Sequence, residues 1–273
     1  MVEAAGAFAG QHILITGATG GVGSIIAAKM AREGCRITAV SRREDRLGDL
    51  KEWVEKLGGK CNTIPRDLAD ENCYDEIIAE ARDTFGFVDA AFWVAARFNP
   101  GPFAECDPEE ISRTIKLNLI SAISLTRAIL PEMLERGNGK ICAVSSLAGL
   151  IPVPYFDIYS STKAGLMGFF RALAREIKGS GVTVTCVAPR TVYTEIINRL
   201  KNLYKRLGWP IDSPEKVAEE IVRATALGKE FVPLGGIEKL APCLLYIIPG
   251  IIEQFADSVK EEMSVFFDRK TDV

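Results

Sequence analysis

Two hydrophobic rhythms alternate along the chain. Short apolar, β-branched runs recur, and each is followed by a longer stretch whose apolar positions return with helical spacing. The first rhythm predicts strands at His12–Thr16, Arg36–Ser41, Cys61–Pro65, Val88–Val94, Lys140–Ser145, Val182–Val187 and Glu230–Pro233. The second predicts helices at Gly21–Glu33, Glu44–Leu57, Asp70–Phe85, Asp107–Lys116, Leu119–Glu135, Ile158–Lys178 and Pro214–Leu227. The stretch between Thr194 and Asp212 shows neither rhythm and is expected to be mobile. Ile13-Leu14-Ile15 and Val182–Val187 are near-continuous apolar runs, as in strands covered on both faces. This alternation implies an α/β fold: a Rossmann-like, doubly wound parallel sheet of seven strands with right-handed crossovers. No repeat, low-complexity tract or linker divides the chain. Residues 1–234 are expected to form one domain, with 235–273 an apolar helical extension of it.

Composition narrows the classes of partner. The chain has 273 residues, 48% hydrophobic and 25% charged, with a net charge of −3. No basic stripe is evident, so nucleic acid is not an expected partner. Seven cysteines stand at 35, 61, 73, 106, 142, 186 and 243, with no Cys-x-x-Cys pair. They read as small buried residues in a reducing compartment, not as a disulfide framework or metal site. His12 is the one histidine; it opens a strand pattern and is expected to be structural. Residues 1–10 lack the basic and apolar regions of a signal peptide, so a cytoplasmic location is expected. The apolar run Leu240–Ile252 is broken by Pro242 and Pro249 and is shorter than the ~20 residues of a membrane span.

Three segments carry candidate chemistry. Thr16-Gly17-Ala18-Thr19-Gly20-Gly21-Val22-Gly23 lies between the first strand and its helix. Glycines there let a pyrophosphate approach the backbone, and the helix N-terminus offers free N–H groups and a positive dipole end. The second strand ends in Ser41-Arg42-Arg43. A carboxylate at this point holds the ribose hydroxyls of NAD, whereas arginine accommodates the 2′-phosphate of NADP. NADP(H) is the expected cofactor, with Arg42 its main phosphate contact. Tyr159 and Lys163 are four apart on a helix pattern and share a face. A cation near a phenol lowers its pKa, which suits proton transfer to a carbonyl oxygen.

Together these segments resemble the short-chain dehydrogenase/reductase family through about residue 234. Thr16 to Gly23 matches the family's Thr-Gly-x-x-x-Gly-x-Gly, and Tyr159 and Lys163 match its Tyr-x-x-x-Lys. The resemblance implies a catalytic set of Asn118, Ser146, Tyr159 and Lys163. It implies a cofactor site that also takes in Asp67, Leu68, Ala95, Ala96, Pro189, Val192 and Thr194. Hydride transfer between a carbonyl and an alcohol is the implied reaction. Tyr159 would exchange the proton, Ser146 would bind the oxygen, and Lys163 would depress the Tyr159 pKa and bind the nicotinamide ribose. Asn118 would hold a water linking Lys163 to solvent. A homodimer is implied as well.

The chain departs from the family pattern in places. Trp93-Val94-Ala95-Ala96 replaces Asn-Asn-Ala-Gly, and Pro189-Arg190 replaces Pro-Gly. Arg190 is either a surface residue or meets an anionic group in the site. The ending after Phe231-Val232-Pro233 resembles the branch that includes membrane-associated and lipid-acting reductases, steroid dehydrogenases among them. The C-terminal segment can pack on the domain or a second subunit, wall a substrate tunnel, or make peripheral contact with a membrane. A lipophilic ketone or aldehyde (a sterol, steroid or long-chain lipid) is the expected substrate. Two alternatives stay open: a dehydrogenase of small polar carbonyls or sugar alcohols, and a cofactor-sensing binding protein without turnover.

Overall fold

The computed structural model describes residues 6–236 and 259–267. Its centre is a parallel sheet of strands β1 (His12–Thr16), β2 (Arg36–Ser41), β3 (Lys60–Pro65), β4 (Ala90–Trp93), β5 (Gly139–Val144), β6 (Val182–Ala188) and β7 (Phe231–Pro233). Their spatial order is β3-β2-β1-β4-β5-β6-β7. The order reverses between β1 and β4, which pair from Ile13↔Ala90 to Thr16↔Trp93. Ligands of open α/β sheets bind at such a switch point, beyond the carboxyl ends of the strands.

Successive side chains of β1 enter opposite layers, as the pleat requires. Leu14 joins Val40, Ile64, Leu125 and Phe170 on one face, while Ile13 and Ile15 join Ile26, Ile37 and Ile221 on the other. Helices α1 (Gly21–Arg32), α2 (Glu44–Lys56), α3 (Tyr74–Phe85), α4 (Pro108–Ile115), α5 (Ser121–Arg136), α6 (Asp157–Glu176), α7 (Lys201–Arg206) and α8 (Pro214–Ala226) cover these faces or border the site. Their starts follow local chemistry. Asp107 accepts from the Glu109 N–H ahead of Pro108, and Ser213 accepts from Lys216 N–H ahead of Pro214. Both satisfy N–H groups that a helix leaves free. Residues 259–267 form a further helix, α9.

Several expected boundaries move. The helix expected over Asp70–Phe85 begins with a tight turn at Glu71–Cys73, because the Asp70 side chain accepts from Asn72 N–H. The helices expected from Asp107 to Glu135 run continuously through a wide π turn at Lys116–Ile120. Pro108–Arg136 is long and apolar enough by composition to cross a membrane. Its residues Leu117, Leu125, Ile129 and Met133 are instead buried in the core. The stretch expected to be mobile is helical, with a tight helix at Glu195–Leu200 leading into α7. Its ends are tied together by an isolated bridge between Val192 and Asp212. His12 is structural, as expected: Nε2 meets Thr38 Oγ1 at 2.8 Å and Nδ1 meets the Gly86 carbonyl at 2.9 Å. Burial holds its pKa below the usual imidazole value. The segment Leu240–Ile252 lies outside the described residues.

Candidate active site

One cavity of about 910 Å³ runs along the carboxyl ends of the strands. It starts among Arg42, Arg43, Arg46 and Arg66, passes the loop from Gly17 to Gly23, and ends among Tyr159, Ser146 and an apolar wall.

The glycine loop fits a dinucleotide on its own geometry. Gly17 has φ +64°, and a Cβ there would stand 2.7 Å from Ala95 Cα. An L side chain at 17 is therefore opposed both by backbone conformation and by space. A Cβ on Gly23 would strike the Gly17 carbonyl oxygen. Thr19, Gly20, Gly21 and Val22 line the cavity, with the N-terminus of α1 behind them. This cradle of free N–H groups suits a pyrophosphate. Ser41 joins it, its hydroxyl 2.6 Å from that of Thr19.

The cationic end holds more than the sequence motif suggested. Arg46 and Arg66 line it beside Arg42 and Arg43. Arg46 lies three positions after Arg43, so the helical period could have found it. Arg43 and Arg46 both reach Glu195, at 3.7 and 2.8 Å. Arg42 makes no ion pair among the described residues.

At the other end, Tyr159 and Lys163 share the face of α6 that looks into the cavity. The Tyr159 ring meets Phe98 edge-on at 4.8 Å between centroids. Burial raises its pKa, and a hydrogen bond from Ser146 lowers it in part. Lys163 lies one turn further along α6. Its Nζ donates to the Val144 carbonyl at 2.8 Å and stands 5.6 Å from the tyrosine ring centroid. Lys163 is 2% exposed, and burial pulls its own pKa down to about 8.

Leu68, Ala95, Ala96, Pro189, Val192 and Thr194 also line the cavity. Asp67 and Asn118 do not. The Asp67 carboxylate pairs with Arg113 and accepts from Ala69 N–H. Asn118 sits on the π turn, where its Oδ1 accepts from Arg97 N–H at 2.7 Å. Its Nδ2 donates to the Arg97 carbonyl at 2.8 Å and meets Thr162 Oγ1 at 3.3 Å. The amide thus braces the chain after β4 against α6 rather than opening to the cavity.

The departures from the family pattern are accommodated. Trp93 Nε1 donates to Thr126 Oγ1 at 2.8 Å, satisfying its buried donor. Arg190 meets an anionic group, but one of the protein's own. Its Nε and Nη2 grip the Asp212 carboxylate at 2.7 and 2.9 Å and hold that carboxyl below the usual range. The grip fastens the start of the helical lid to its end. The lid's Ile197, Leu200, Leu203 and Tyr204 pack with Phe156 against Val259 and Met263 of α9. The C-terminal segment was expected to pack on the domain or wall a substrate tunnel, and its described part, α9, packs on this stretch across about sixty residues of chain.

A doubly wound sheet with a glycine cradle at its switch point and a buried Tyr–Lys pair beyond it defines a nicotinamide-dependent oxidoreductase. The short chain dehydrogenase family model matches residues 11–204, and the chain belongs to that family. It is 34% identical over 217 residues to a ketoacyl reductase of Nostoc, covering 79% of this chain and 75% of that protein. It is 32% identical over 224 residues to a very-long-chain 3-oxoacyl-CoA reductase of Bos taurus, covering 80% and 69%. An L-sorbose reductase of Gluconobacter frateurii, solved with NADPH and L-sorbose, superposes with a TM-score of 0.76 at 27% identity. That likeness covers 84% of this chain and 96% of the other.

Proposed function

We propose that the protein is an NADP(H)-dependent reductase of a lipophilic ketone or aldehyde, able to run the reverse oxidation. The observation that carries the substrate class is the wall beyond Tyr159: Phe98, Leu147, Ile151, Val153, Phe156 and Ile197. Arg190 also lines the cavity, but Asp212 neutralises it. The names of the ketoacyl and 3-oxoacyl-CoA reductases favour the same class. The L-sorbose reductase favours the alternative, a small polar carbonyl.

When bound, the nicotinamide supplies the hydride. Tyr159 donates its proton to the carbonyl oxygen; its raised pKa keeps it protonated at neutral pH. Ser146 donates a hydrogen bond to the same oxygen as negative charge develops. The Lys163 ammonium, 5.6 Å from the Tyr159 ring centroid, favours the phenolate that proton donation leaves and also suits the ribose hydroxyls. Asn118 is a positioning residue that holds the π turn on α6.

The cofactor choice rests on the arginines at the end of β2, and on Arg42 in particular, since Glu195 pairs with Arg43 and Arg46. Arg42→Ala should weaken NADPH binding and leave NADH binding nearly unchanged, because only NADPH carries the 2′-phosphate. A charge-assisted contact of ~1.5–3 kcal/mol corresponds to a shift in preference of roughly 10- to 150-fold. Titration of both cofactors by fluorescence reads this directly. An equal loss for both would place the phosphate elsewhere. NADPH oxidation with a panel of ketones tests the reaction itself and separates an enzyme from a cofactor-sensing protein.

A further inference from the structure

Tyr204 stands on α7 and lines the same cavity as Tyr159, from the lid side. It is 3% exposed, and its ring meets Trp209 edge-on at 5.3 Å. Around it lie Phe156, Ile197, Leu203 and Met263. A phenol buried in such company needs a polar partner. Thr191, on the loop after β6, lines the cavity with it. A phenol O–H on the wall of a cavity can donate to a ligand there. Burial raises the Tyr204 pKa, which keeps its O–H available as a donor, and Tyr159 lines the same cavity.

We infer that Tyr204 is a substrate-binding hydroxyl that donates to a second oxygen near the reacting carbonyl. The substrates it selects are ketones with a neighbouring oxygen, such as 3-oxoacyl thioesters, over isolated ketones of equal length. This rests on the lipophilic-carbonyl reading above. Tyr159 and Ser146 hold the reacting oxygen, and Tyr204 holds the other. The apolar wall takes the chain.

The test compares two probes, a 3-oxoacyl N-acetylcysteamine thioester and a methyl ketone of equal chain length. Both are assayed with NADPH, using the full chain and its Tyr204→Phe variant. The wild type should prefer the thioester. The variant should lose about 2- to 12-fold in kcat/KM on the thioester, the range of a neutral hydrogen bond, mainly through KM. The methyl ketone should be unaffected, as should NADPH binding. Equal losses on both probes would make Tyr204 a packing residue and overturn the inference, and so would unchanged selectivity. Wild-type preference for the methyl ketone overturns it without any variant, even if the Phe protein fails to fold. Wild type inactive on both probes would sink the reductase reading itself, and the inference with it.

Discussion

Tyr159→Phe should lower turnover at least ~10²-fold while leaving NADPH binding largely intact. The figure is the low end of what a positioned acid–base group contributes. Phenylalanine keeps the ring that packs edge-on against Phe98 at 4.8 Å. The change therefore isolates the hydroxyl. Ser146 cannot take over, since a serine hydroxyl is a far weaker acid than a phenol. The pH dependence has a definite sign. Burial raises the Tyr159 pKa, so the acid form needed for ketone reduction persists through neutral pH and is lost only as pH rises past that value. Alcohol oxidation needs the opposite form and should speed up over the same rise. Steady-state rates in both directions across pH, for wild type and variant, check both points. Near-normal turnover in the variant would remove Tyr159 from the chemistry.

Most of the sheet was legible because each strand reports its own surroundings. Ile13-Leu14-Ile15 is apolar throughout since one core layer lies on each face of β1. The glycine loop and the Tyr159/Lys163 spacing are local signals too, and the structure brings them to one cavity. What escaped depends on partners remote in sequence. Nothing near Asp67 announces that Arg113 claims it, and nothing near Asn118 announces its hold on Arg97. The lid hid for a different reason. Its helices, Glu195–Leu200 and Lys201–Arg206, are six residues each. So few residues span too little of a turn pattern to show a period. Their apolar side chains make sense only against Met263 and Val259 of α9.

That lid and α9 together should make the enzyme select for apolar length. Ile197 and Tyr204 line the cavity from the lid, and Met263, with no exposed surface, backs them. Tyr155 stacks on Phe267 at 5.1 Å and ties α9 to the loop just before α6. An alkyl chain beyond the carbonyl would leave water for this wall. Each buried methylene is worth ~0.8 kcal/mol, or about fourfold in kcat/KM. Four added methylenes should thus raise kcat/KM on the order of 10²-fold, until the chain outgrows the wall. Met263→Asp places a charge beneath the lid, where burial without a partner is costly. It should displace the lid from α9 and flatten the series. NADPH binding is measured alongside, since Glu195 at the start of the lid pairs with Arg43 and Arg46 at the cofactor end. The measurement is kcat/KM for a homologous series of ketones with both proteins. A series already flat in the wild type, or best activity on a small polar ketone, would favour the sugar-type alternative. It would leave α9 and the lid with a packing role. A rise unchanged by Met263→Asp would instead move the apolar contact to wall residues outside the α9 cluster, Leu147 and Ile151.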